Sequence, residues 1–100
     1  MEKVIYLEGI EPVNLFGVKN KRLEKLKNRF PKLKIIARGN EIKVKGEEEE
    51  INDFEEKIDL IVEYMHKFRN LKENEFDAFL EDEGEGEELM KNKEKTEDAL

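Results

Sequence analysis

The dipeptide Gly39-Asn40 stands between LKIIAR (33–38) and EIKVKG (41–46), and this arrangement restricts the fold more than any other part of the chain. A two-residue connection between strand-like runs closes as a tight antiparallel hairpin, and glycine at its first position is what a type II′ turn requires. In the second run Ile42 and Val44 alternate with Glu41, Lys43 and Lys45, so one face is buried and the other is wet. Residues 3–8, KVIYLE, are β-branched and aromatic enough to form another strand, punctuated by Gly9 and Pro12.

Helical patterns flank these strands. EPVNLFG predicts one or two turns that begin at Pro12, which suits the first helical position, and stop at Gly17. Asn20 can cap the next helix, in which Leu23, Leu26 and Phe30 recur at i, i+3 and i+7. Lys21, Arg22, Lys25 and Arg29 fall on its far side and one flank, giving a basic outer face. Pro31 ends it, because the residue before a proline is biased out of helix. After Gly46, the carboxylates Glu47 to Glu50 favour the positive end of a helix dipole. Ile51, Phe54, Ile58, Ile61, Met65 and Phe68 then follow in 3, 4, 3, 4, 3 spacing and predict the main core helix, although heptad spacing also permits a partner helix. A last short helix is expected from Glu73 to Phe79 or Leu80, with Phe76, Phe79 and Leu80 as its apolar face. Residues 81–100 are mostly acidic, have little to bury and read as a disordered tail or linker. The fold class is therefore α+β, with a three-stranded sheet packed on helices.

A chain of 100 residues allows one small domain, which buries roughly 60–65% of its unfolded surface. With no cysteine, disulfides and thiolate metal sites are excluded. No apolar run reaches the roughly 18–20 residues of a membrane span, and the start lacks a signal-peptide core, so no membrane association and a cytoplasmic location are expected. The net charge of −7 hides a strong segregation of sign. Residues 19–38 hold nine bases against Glu24 alone, whereas residues 71–100 hold four bases against twelve acids. A basic patch of this density points to a polyanion more directly than the bulk charge does.

The order β, short α, α, β, β, long α resembles a type I KH domain, in which a GxxG loop between the first two helices clamps single-stranded backbone. More closely, YLEGIEPVNLFGVKNKRLEKL and IIARGNEIKVKGEEEEI resemble the N-terminal domain of the PhoH-like, phosphate-starvation-inducible family. Leu15, Phe16 and Gly17, the corner Arg38-Gly39-Asn40-Glu41, and Lys45-Gly46 carry the match, over roughly residues 4–80. The resemblance implies a KH-like domain over 1–80 and a linker over 81–100 toward a P-loop ATPase domain in cis. It also implies possible homo-oligomers through the parent protein. ATP and Mg would belong to that further domain, since this chain carries no G-x-x-x-x-G-K-[ST] motif. No cofactor and no enzymatic activity are expected of the chain itself.

The resemblance and the charge together predict an accessory domain that binds single-stranded RNA. Its contacts would be Gly17, Val18, Lys19 and Asn20 in the loop, Lys21, Arg22 and Lys25 on the basic helix, and Lys34 and Arg38 along the hairpin. Asn20 stands where a GxxG loop has its second glycine, and asparagine tolerates positive φ better than most residues. The acidic tail could fold back over this patch and compete with RNA. The alternative is a protein-interaction or oligomerisation domain that docks on the ATPase ring through Phe76, Phe79 and Leu80 or through the long helix. His66 is expected on a partly exposed helix surface without a chemical role.

Overall fold

In the computed structural model, residues 1–68, 70–81, 88 and 91 are described. The strands are β1 (Glu2–Tyr6), β2 (Lys34–Arg38) and β3 (Glu41–Lys45), and the helices are α1 (Pro12–Phe16), α2 (Lys21–Arg29), α3 (Glu48–Lys67) and α4 (Glu73–Glu81). The expected β-α-α-β-β-α order is present, with α4 added, and the fold is α+β. Strand β3 is central, pairing antiparallel with β2 on one side and β1 on the other. Gly39 takes φ +56° while Asn40 does not share a positive φ, as a type II′ hairpin turn demands.

Each boundary has a local cause. Pro12 opens α1 and Gly17, at φ +80°, ends it while its N–H donates to the Val13 carbonyl. Phe30, ahead of Pro31, leaves the helical region at φ −121°. Gly46 packs closely on its neighbours: a Cβ there would lie 2.5 Å from Leu33 Cδ2, so the end of that buried side chain would have to shift, and 3.4 Å from the Lys32 carbonyl oxygen.

The sheet lays Ile5, Ile35, Ile42 and Val44 against the helices, and α3 contributes Ile51, Phe54, Ile58, Ile61, Tyr64 and Met65 to the same core. Tyr64 and Lys57 are the buried α3 residues that the apolar spacing did not include. Phe76, Phe79 and Leu80 are also inside this core, where Phe79 meets Tyr64 edge-on at 5.3 Å between ring centroids. The expectation that these three side chains form a docking face is corrected accordingly, because the chain covers them itself.

Helix α4 is fixed at both ends. At its start the Glu75 carboxylate accepts the Lys72 backbone N–H at 2.9 Å, one half of a capping box. The same side chain accepts the Tyr64 hydroxyl at 2.5 Å. At its end the Leu80 carbonyl accepts Arg29 Nε at 2.9 Å and Lys57 Nζ at 3.3 Å, so two cations meet the negative end of the helix dipole. The helix includes Glu81, one residue beyond the expected limit. Of the tail expected over 81–100, Glu81 is helical instead; the remainder, and its proposed competition with RNA, lie outside the described residues apart from Glu88 and Lys91. Among the described residues no helix is long and apolar enough to cross a membrane.

Candidate nucleic-acid interface

Between α1 and α2 the chain makes a single 3-10 turn, Val18–Asn20, after Gly17. Lys19 and Asn20 both take left-handed backbone, at φ 57° and φ 59°. Asparagine at the second position agrees with its tolerance of this region, but no side-chain hydrogen bond from Asn20 caps α2, which corrects the capping role read from the sequence. The observed role is conformational. Left-handed backbone costs a non-glycine residue of order 1–2 kcal/mol, so Lys19 is held there against its own preference. The turn projects Val18, Lys19, Asn20 and Lys21 into solvent.

The basic flank of α2 is occupied. Arg22 is only 11% exposed and donates from Nε to Glu73 Oε1 at 2.6 Å, from Nη1 to the Asn14 carbonyl at 2.9 Å and from Nη2 to the Leu71 carbonyl at 2.5 Å. Its guanidinium also lies 5.3 Å from the centre of the Phe76 ring. Lys25 bridges Glu73 at 3.0 Å and Asp77 at 2.8 Å. Residues 22, 25 and 29 thus form one row that faces α4, and the expected outer face of the helix is here an interhelical seam.

This seam perturbs its ionisable groups in the directions that pairing requires. The Glu73 carboxyl is held below its ordinary value, first by the hydrogen bond from Arg22 and then by that from Lys25. The Lys25 ammonium is raised above its ordinary value, first by Asp77 and then by Glu73.

Lys34 and Arg38 are placed apart from the loop. They alternate with the buried Ile35 along β2, so they leave the sheet on the side opposite the helices. The expected basic patch is therefore divided into three parts: a loop with Lys19 and Lys21, a seam with Arg22 and Lys25, and a sheet face with Lys34 and Arg38. Lys19, Lys21, Lys34 and Arg38 form no ion pair among the described residues. Beside the loop, a cavity of about 280 Å³ is lined by Val13, Asn14, Gly17, Val18, Arg22 and Leu71 among others. A Cβ on Gly17 would approach Arg22 Cγ to 3.1 Å, so the glycine lets the turn close over the arginine.

Sequence reasoning placed Lys43 and Lys45 on the wet face of their strand but counted neither them nor Tyr6 among the contact residues; all three share the open face of the sheet with Lys34 and Arg38. Among the described residues, no three His, Cys, Asp or Glu side chains come together as metal ligands. His66 is exposed, and its Cε1 would be 2.9 Å from a Cβ built on Gly9. Comparison with protein-family models, with curated proteins and with solved structures gives no match.

Proposed function

We propose that this chain binds the phosphate backbone of single-stranded nucleic acid, RNA in the first instance, through the turn from Gly17 to Lys21. The observation that carries this reading is the pair of exposed lysines, Lys19 and Lys21, without an ion-pair partner among the described residues, on a turn held in left-handed backbone at Lys19 and Asn20. Strain of this kind gathers where a backbone must meet a ligand closely. Each lysine that meets a phosphate releases counterion, so affinity falls steeply with salt.

Arg22 and Lys25 serve this site indirectly, because their bonds to α4 and to the Asn14 carbonyl hold α1 and α2 at a fixed separation. The resemblance to PhoH-like N-terminal domains agrees with a nucleic-acid role. On that reading the chain works in the cytoplasm beside a P-loop ATPase domain that supplies ATP and Mg chemistry, and it catalyses nothing alone.

The test is a titration of a short oligouridylate at two salt concentrations. Lys19→Ala and Lys21→Ala should each weaken binding at low salt and lower the salt slope by about one. Arg22→Glu is a poor reporter because it breaks the seam. Affinity that is indifferent to salt and to both lysine changes would sink the reading.

A further inference from the structure

The face of the sheet turned away from the helices is open, and register assigns its side chains in three rows. Across β1, β3 and β2 these are Glu2–Lys45–Lys34, Val4–Lys43–Ile36 and Tyr6–Glu41–Arg38. Four cations stand against two carboxylates, so this face is positive in a chain whose net charge is −7. Glu2 is shared between Lys43 at 3.0 Å and Lys45 at 3.4 Å, which leaves Lys34 and Arg38 without a carboxylate partner among the described residues.

Two features separate this face from an ordinary solvated sheet. Lysine is common on edge strands, where it discourages pairing with another chain, but Lys43 and Lys45 are on the central strand, which has no free edge. Lys34 and Lys45 are also direct cross-strand partners, and like charges directly opposite are destabilising. An anion laid along β2 and β3 would relieve that repulsion.

The apolar component is equally specific. Tyr6 is 59% exposed on β1, and Val4 and Ile36 are the other exposed large hydrophobic residues on this face. Val4, Ile36, Arg38, Glu41 and Lys43 line a shallow depression of about 270 Å³. That is below the roughly 300–1,000 Å³ of clefts that enclose a drug-sized ligand. Tyr6 stands directly opposite Glu41, with Lys43 diagonal to it and Arg38 one strand further on. An exposed aromatic ring on a sheet face that also carries cations is the combination that stacks a base and holds its phosphates.

We propose that the open sheet face is a second contact surface for single-stranded nucleic acid, with a base stacked on Tyr6 and phosphates held by Lys34, Arg38 and Lys43. This rests on the reading that the partner is a single strand, but it uses none of the residues of the Gly17–Lys21 turn. The two surfaces lie on different sides of the molecule, so one strand would pass around the edge of the sheet or two strands would be bridged.

Tyrosine emission provides the test, because the chain has no tryptophan and only two tyrosines, of which Tyr64 is fully buried. Saturating oligouridylate should quench Tyr6 emission, and Tyr6→Leu should weaken binding about five- to tenfold. Arg38→Gln and Lys43→Gln, both exposed or half-buried surface changes, should each lower the salt slope by about one. Lys19→Ala and Lys21→Ala should leave the quench at saturation intact. Binding without any change in Tyr6 emission, with unaltered affinity in Tyr6→Leu, overturns the sheet proposal and leaves the turn standing. A quench with affinity indifferent to Lys19 and Lys21 supports the sheet and removes the turn. No binding overturns both. A dimer in sedimentation that Tyr6→Leu dissociates would overturn the proposal in favour of a second copy on this face.

Discussion

Arg22 and Glu73 join α2 to the start of α4 through a 2.6 Å bond between Nε and Oε1, while the rest of the guanidinium closes on the carbonyls of Asn14 and Leu71. One nearly buried side chain thereby ties α1, α2 and the segment before α4 together. Arg22→Ala should cost about 1–3 kcal/mol, because it leaves the Asn14 and Leu71 carbonyls without their charged donor and Glu73 with Lys25 alone. Lys25→Ala, by contrast, removes exposed ion pairs that contribute at most about 1 kcal/mol. Urea denaturation of the two variants checks the contrast, and equal losses would refute the hub role of Arg22.

The same seam sets a dependence on pH. Glu73 has its carboxyl lowered, chiefly by Arg22, so its contribution is fully present above the ordinary carboxylate value and disappears as pH falls through the lower folded one. Stability curves of the parent chain and of Glu73→Gln should therefore converge on acidification. Lys25 is raised, chiefly by Asp77, so its contribution is present below the ordinary lysine value and lost as pH rises through the higher folded one. Thermal melts across the acid and alkaline ranges measure both limits.

Lys19 should show opposite effects on stability and binding. Lys19→Gly removes the cost of left-handed backbone at φ 57° and should stabilise the chain by about 1 kcal/mol, while it weakens oligouridylate binding by loss of a phosphate contact. Asn20→Gly should change stability less, since asparagine is already tolerant at φ 59°. Paired denaturation and binding measurements test the separation. A Lys19→Gly chain that is both less stable and unaltered in binding contradicts it.

Gly46→Ala should destabilise by about 1–3 kcal/mol, because the new methyl group would stand 2.5 Å from Leu33 Cδ2 at the entrance to α3. The double change Gly46→Ala with Leu33→Ala should recover part of that loss, a non-additivity that a double-mutant cycle measures directly.

What could be read from the sequence was local. Gly39-Asn40 specifies its own hairpin because the turn and both strands are contiguous, and Pro12, Gly17 and Pro31 mark helix ends by their own backbone restrictions. The period of Phe76, Phe79 and Leu80 revealed a helix with an apolar face, but not what that face covers, since periodicity gives a direction without naming a neighbour. The site suffered from the same limit. Arg22 and Glu73 are 51 residues apart, so the pairing that removes Arg22 from the surface has no local signature. Asn20 advertised its positive φ by residue type, whereas a lysine at position 19 gives no such sign. Tyr6 and Arg38 came onto one row only once β3 was placed between their strands.

Strand order also governs time. The β2–β3 hairpin closes over two residues, but β1 must wait for the whole α1–α2 excursion before it can pair with β3, and α4 docks from the far end of the described chain. Closing long loops is costly before non-local contacts repay it, so the hairpin belongs to the early part of folding and the β1 and α4 contacts to the late part. Alterations near Gly39 should accordingly slow refolding, and alterations of the Arg22–Glu73 bond should speed unfolding, which makes α4 the latch that determines how long the folded chain survives.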